Sequence, residues 1–390
     1  MSSGGSGPLA YSDSMTGVSD LRELRTNWEA FGREDPLWAI LALPGKRFGK
    51  WGMEEFFATG VAEVLELMRR LQDIGYPKRR GRALDFGCGV GRLTQALAGH
   101  FTEVVGVDIA ESMLRRARTL NRFGSRCSYV HNDRRDLAVL QDESFDLVYT
   151  VYVLQHMDPS YARGYVAEFM RVLRGGGVAV FQMPAARRSS PELPASAFRG
   201  RVALSPRTSL TLRAGTVQHL KVTASNLGDV PWPAHGRRAV HVGNHWRSAK
   251  DGALVIQDDG RAHFFDDVPA GGSQDVTLEI RTPKKAGDYF LDIDLVQEEV
   301  AWFAEHGMTP DRIPVRVERR LPGLSPTEAS RKVPRMEMYT VPPAGVRQWI
   351  EEAGGRVVEE WPLFSAGADW ARKEWDIRCY VATRTDAQRP

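Results

Sequence analysis

The chain has 390 residues, 42% of them hydrophobic and 26% charged, with a net charge of +3, which describes a folded protein long enough for two or three domains. Acids and bases are interspersed, and the densest basic run, Lys78-Arg79-Arg80 with Arg82, reads as a solvated loop, so no nucleic-acid partner is expected. Cys88, Cys127 and Cys379 stand far apart without metal-ligand spacing, and no apolar run approaches a membrane span or a signal peptide; the expectations are no disulfide framework, no metal and a cytoplasmic location.

Residues 1–19 are rich in Ser and Gly and predict a disordered terminus. Residues 20–78 predict a helical segment. Leu21, Leu24 and Trp28 recur at helical spacing, and Phe56, Phe57, Val61, Val64, Leu65 and Met68 do so again. Between the two helices lie Trp38 and a loop carrying Trp51.

The most informative run follows, Leu84-Asp85-Phe86-Gly87-Cys88-Gly89-Val90-Gly91. An apolar strand ends in an acid and enters a glycine loop, where missing Cβ atoms allow a sharp turn and a close backbone approach to a ligand. A second strand, Val104-Val105-Gly106-Val107, ends in Asp108, about 20 residues beyond the first glycine, as a βαβ nucleoside site requires. A nicotinamide dinucleotide would call for G-x-G-x-x-G around a pyrophosphate; here the spacing is G-x-G-x-G, and Asp85 would repel phosphate. An acid there suits a ligand with an ammonium group, and the combination points to S-adenosylmethionine. Further strands are expected at 128–133, 144–151 and 176–181, alternating with helices as in a parallel sheet.

The segments LDFGCGVGRLT, VVGVDIAESML, HNDRRDL, SFDLVYTVYVLQHM and LRGGGVAVF together resemble the class I S-adenosylmethionine-dependent methyltransferases. The resemblance implies a Rossmann-like sheet of seven strands with the last antiparallel. It places Asp85, Gly87 and Gly89 at the methionine end of the cofactor, with Cys88 in the loop as a small packing residue. Asp108 would bind the ribose and Ile109 would pack on the adenine. Asp133 and Arg134 would lie at the adenine edge, and Tyr149 and Thr150 beside the sulfonium. In such enzymes an N-terminal helical segment covers the cofactor, which makes Trp38 and Trp51 candidate substrate-binding residues of a lid; plain docking of that segment on the sheet is the competing reading.

After Met183-Pro184 the pattern changes. Residues 186–200 read as a linker, and 201–320 as an antiparallel β-sandwich of immunoglobulin-like type, from alternating runs at 210–212, 218–223, 239–242, 276–280, 289–293 and 314–317. Its aromatic residues, among them Trp232, Trp246, Phe264, Phe265, Trp302 and Phe303, either fill a core, the default, or stack on sugar rings. A helix at 341–353 and strands at 357–361 and 377–382 then return to α/β. The simplest arrangement is a discontinuous methyltransferase domain, 79–185 with 333–385, interrupted by the sandwich.

Methyl transfer asks mainly for alignment, with a base only for hydroxyl or protonated amine acceptors. His156 and Tyr152 are the catalytic candidates, His131 a further possible base, and Gln155 could orient an acceptor. The leading expectation is methyl transfer to a small-molecule or glycan-linked acceptor at O or N, with the sandwich recruiting substrate or mediating a homodimer. The alternative is a non-catalytic binding or scaffold protein. No Asn-Pro-Pro-Tyr follows the fourth strand, which argues against base methylation.

Overall fold

The computed structural model describes residues 20–43, 45–205, 209–319 and 334–385. The expected disordered terminus, 1–19, and the expected domain ends at 320 and 333 lie outside these residues. Within them, 188–319 form one compact unit, and 20–187 with 334–385 form another.

The second unit begins with three helices. Asp20 caps α1 (Leu21–Glu34) by accepting from Arg22 N, Pro36 opens α2 (Pro36–Ile40), and α3 spans Met53–Asp73. The buried stripe of α3 runs through Phe56, Gly60, Glu63, Val64, Leu67 and Leu71. Val61 and Leu65, expected on that stripe, are 51% and 55% exposed, and a carboxylate is buried where the period left room for it. Strands and helices then alternate: β1 (Arg82–Phe86), α4 (Arg92–Leu97), β2 (Glu103–Asp108), α5 (Glu111–Leu120), β3 (Cys127–His131), β4 (Phe145–Thr150), α6 (Pro159–Val172) and β5 (Leu173–Arg187).

In the all-β unit, β6 (Gly200–Leu204), β7 (Leu210–Arg213), β8 (Val217–Asn226), β9 (Val240–Ser248), β10 (Leu254–Ile256), β11 (Arg261–His263), β12 (Ser273–Arg281), β13 (Gly287–Gln297), β14 (Ala301–Trp302) and β15 (Asp311–Glu318) form two sheets. One has the order β10-β9-β13-β15-β7 and the other β12-β8-β6. Their apolar faces share one core in which Trp232, Trp246 and Phe303 are fully buried and Phe264 nearly so, while Phe265 is exposed. All pairs are antiparallel except β15 with β7, which alternation in sequence could not reveal. The expected linker is also partly structural. Leu193, Ala197 and Phe198 enter the core, and Gln297 accepts from Leu193 N and donates to Pro191 O, both at 2.9 Å.

The chain returns through α7 (Pro343–Glu352), β16 (Gly355–Pro362), α8 (Ala368–Glu374) and β17 (Trp375–Arg384). These complete a seven-stranded sheet of order β16-β17-β5-β4-β1-β2-β3, in which β17 alone runs against its neighbours. Alternate residues of one strand serve cores on opposite faces: Leu84 and Phe86 on one, Ala83 on the other. Strands covered on both faces read as the nearly continuous apolar runs of the sequence. No helix among the described residues is long and apolar enough to cross a membrane. The three cysteines are free and buried.

Candidate active site

β1 ends at Phe86, and the chain turns through Gly87 and Gly89 at φ of 76° and 53°, backbone that side chains rarely adopt. Space forbids a side chain as well. A Cβ on Gly87 would stand 2.3 Å from Val153 Cγ2, and one on Gly89 2.5 Å from Ile40 Cδ1. At the tip of β2, Asp108 accepts from Gly89 N and from Ala110 N, both at 2.8 Å, so one carboxylate fixes the loops after both strands. Asn132 N donates to Asp108 O at 3.0 Å, which brings the end of β3 to the same place.

These tips border a cleft of about 740 Å³. Gly87, Gly89, Asp108 and Asn132 line its polar side; Ile109, Met113, Val107 and Phe86 line an apolar side; and Leu21, Leu24 and Trp28 of α1 with Ile40 of α2 form a further wall. Asp108 is the one carboxylate among the lining residues. The fit to S-adenosylmethionine is good: a glycine cradle without Cβ atoms, a carboxylate to receive paired hydroxyls, and an apolar slot for a heterocycle. Trp28, Phe86, Tyr152 and Tyr165 add aromatic rings suited to a sulfonium cation.

Burial pushes the Asp108 carboxyl up to about 6, against the amides that favour its ionised form. Ligand hydroxyls donate far more strongly to the carboxylate than to the acid, one of whose oxygens becomes a donor. Affinity for S-adenosylhomocysteine is therefore expected to hold above about pH 7 and to fall roughly tenfold per unit at pH values below the carboxyl's own. Calorimetry across that range checks this, and Asp108→Asn should remove the acid limb.

Several expected site residues lie elsewhere. Asp85 is buried beneath the loop, where Thr94 Oγ1 donates to it at 2.6 Å and burial pushes its carboxyl up to about 7. Cys88 is buried beside Gly106, whose Cβ would stand 2.8 Å from its Sγ, so it packs. Asp133 and Arg134 are exposed and turned to ion pairs, with Arg25 at 2.7 Å and Asp136 at 3.1 Å; Asn132, one residue earlier, lines the cleft instead. β4 runs through Thr150, so Tyr149 and Thr150 are sealed within the sheet and the cleft receives Val151, Tyr152 and Val153. Trp38 and Trp51 are buried packing residues: Arg47 lies over the first ring at 4.6 Å, and Nε1 of the second donates to Leu41 O at 3.2 Å.

Tyr152 and His156 do reach the cleft. Tyr152 is held at φ 60°, and its hydroxyl donates to Ala366 O and accepts from Ser365 Oγ, each at 2.8 Å. Burial raises its phenol far above the ordinary range, and with its hydroxyl engaged on both sides it lines the cleft as a wall. His156 is buried, and burial lowers its imidazole to about 4. Its Nδ1 lies 2.7 Å from Glu337 O, which makes Nδ1 the protonated nitrogen and leaves Nε2 with a lone pair. Gln155 Nε2 stands 3.3 Å from that Nε2, and Gln182 Nε2 donates to Gln155 Oε1. His131 is exposed, with Nε2 at 3.0 Å from Ile109 O, outside the cleft. Sequence reasoning missed Asn132, Val153 and Ile40; the hydrophobic spacing of α1 carried a signal for Leu21, Leu24 and Trp28.

Comparison with known proteins agrees with this geometry. Residues 83–177 match a family model described as "Methyltransferase domain". A ubiquinone biosynthesis O-methyltransferase of Thiobacillus denitrificans is 33% identical over 121 residues, 30% of this chain and 51% of that one. A 24-methylenesterol C-methyltransferase 2 of Oryza sativa subsp. japonica is 37% identical over 115 residues, 28% of this chain and 31% of that one. The chain thus spans about half or less of the length of these relatives. A solved S-adenosylmethionine-dependent methyltransferase from Clostridium acetobutylicum is 11% identical, with 84% of this chain and 92% of that one covered at a TM-score of 0.38. The matched segment, 83–177, is a methyltransferase domain and carries the glycine loop, the Asp108 tip and the parallel strands β1 to β4 of the cleft.

Proposed function

We propose that the whole chain transfers a methyl group from S-adenosylmethionine to a small-molecule acceptor at oxygen or nitrogen. The observation that carries this reading is the cleft itself, with Asp108 tied to two loop amides on its rim and Gly87 and Gly89 beside it. When bound, the cofactor supplies an electrophilic methyl group, so the protein's share is alignment and exclusion of water. Asp108 would hold the ribose hydroxyls, Ile109 and Met113 would face the heterocycle, and Asn132 would stand at its edge. His156 is neutral at physiological pH, and its Nε2 would receive the hydrogen of an acceptor O–H or N–H in place of the Gln155 amide that now donates to it.

In the same reading α1 and α2 act as a lid, and the all-β unit is an inserted immunoglobulin-like sandwich. Its buried aromatic residues fill its core, so they lend no support to sugar stacking by that unit. A scaffold without catalysis is disfavoured by an intact glycine loop.

The test is titration of S-adenosylmethionine and S-adenosylhomocysteine into the folded protein. Saturable one-site binding of both is expected. A folded chain that binds neither overturns the proposal.

A further inference from the structure

A second cavity, of about 550 Å³, lies beside the cofactor cleft. Ile40, Tyr152 and His156 line both, so three side chains are common to the two spaces. The rest of the wall comes from parts of the chain remote in sequence. Leu41 and Leu43 follow α2, Trp370 belongs to α8, and Trp375 begins β17. Met336 and Met338 belong to an extended strap, 334–341, which precedes α7.

The strap is anchored at several points. Arg335 N donates to Asn27 Oδ1 at 3.3 Å, Tyr339 N to Gln155 O at 2.8 Å, and Val341 N to Pro184 O at 2.9 Å. His156 Nδ1 donates to Glu337 O at 2.7 Å, so the strap also sets the tautomer of the shared histidine.

The lining is almost wholly apolar. It includes no Asp, Glu, Lys or Arg. Its side chains with polar atoms are Tyr152, Gln155, His156 and the indoles of Trp370 and Trp375. The tyrosine hydroxyl is engaged by Ser365 and Ala366, and the glutamine carbonyl by Gln182. His156 Nε2, at the junction of the two spaces, accepts from Gln155 Nε2 at 3.3 Å, a long bond that a ligand hydroxyl would have to replace. A charged ligand would lose its hydration here and gain no counter-charge. Thioether and indole walls instead suit a flat apolar body, since methionine adapts its shape and tryptophan offers wide faces.

Building on the methyltransferase reading, we infer that this cavity is the acceptor pocket, and that its ligand is an uncharged apolar ring compound whose hydroxyl replaces the Gln155 amide as the donor to His156 Nε2. Met336, Met338, Trp370 and Trp375 in the lining suit the flat faces of one or two fused rings. Methylation of such a compound at its hydroxyl removes its one donor and leaves a more apolar product.

The experiment is calorimetric titration of the full chain, saturated with S-adenosylhomocysteine, with three probes sharing one ring system: 2-naphthol, 2-naphthoate and 2-naphthylmethylammonium. Saturable binding of 2-naphthol is expected, with both charged probes at least about tenfold weaker. Ala42→Trp, which narrows this cavity but not the cofactor cleft, should weaken 2-naphthol by about tenfold or more and leave S-adenosylhomocysteine unaffected. Met338→Trp narrows the pocket from the strap and replaces that variant if it fails to fold. Charged probes binding as well as 2-naphthol overturn the ligand class. Absence of 2-naphthol binding, or binding indifferent to both variants, overturns the pocket while S-adenosylhomocysteine still binds. Loss of S-adenosylhomocysteine binding in the unaltered chain would instead strike at the methyltransferase reading.

Discussion

Replacing Asp108 with alanine is expected to weaken S-adenosylhomocysteine binding by about 100-fold or more, the loss of charge-assisted hydrogen bonds from two ribose hydroxyls. The same change deprives Gly89 N and Ala110 N of their acceptor, so the glycine loop loses its tether as well as its ligand contact. Asp108→Asn separates the two effects. An amide oxygen can still receive one backbone N–H, so the fold should hold better while affinity stays low. Calorimetry reads the binding and thermal unfolding reads the fold. An alanine variant that binds within about threefold of the parent would remove Asp108 from the cofactor site.

The second large effect is structural. Glu63 of α3 and Arg92 of α4 form an ion pair with side chains only 1% and 3% exposed. Both terminal nitrogens of Arg92 donate to Glu63 Oε2 at 3.0 Å, Tyr149 Oη donates to Oε1 at 2.9 Å, and Ala366 N donates to Oε2 at 3.3 Å. Glu63→Ala leaves a guanidinium and a phenol buried without their acceptor, which should destabilise the α/β unit by about 3–5 kcal/mol. For a unit of this size that corresponds to a melting point lower by roughly 10 °C. The paired replacement Glu63→Leu with Arg92→Met removes both charges and should recover the part of the loss owed to the stranded guanidinium, while the Tyr149 phenol still lacks its acceptor. A single alanine variant melting within about 2 °C of the parent would show that the pair contributes little net stability.

The two tips of the sheet were legible because both depend on local spacing. An apolar strand, an acid and glycines leave few alternatives, and Asp108 is where the second strand had to end. Errors arose where one residue of register decides the outcome. Successive residues near a strand tip point to opposite sides, so ending β3 at His131 gives the cleft Asn132 and sends Asp133 to Arg25. In β4 the sheet covers Tyr149 and Thr150 on both faces, so the lining falls to the three residues after the strand. Trp38 and Trp51 illustrate a different limit: composition marks a large apolar ring without saying whether it faces a ligand or a neighbouring helix. The second cavity was beyond reach for a third reason. Met336, Trp370 and Ile40 meet there through tertiary folding alone, and no periodicity links such distant segments.

The position of the all-β unit has a consequence for how the protein is made. β17 pairs with β5 from Trp375 opposite Arg187 to Ala382 opposite Ala179, yet the whole of the other unit is encoded between them. Translation therefore delivers β5 with one edge open, and its partner follows only after the all-β unit has been synthesised. At ribosomal speeds of about 5–20 residues per second, that interval is on the order of ten seconds or more. An open strand edge is where other chains attach. The described residues of the all-β unit, 188–319, can close once they have emerged, whereas the methyltransferase sheet must wait for β17. Yield during expression should thus depend on elongation rate and on chaperones that shield nascent edges, even where the finished protein is stable.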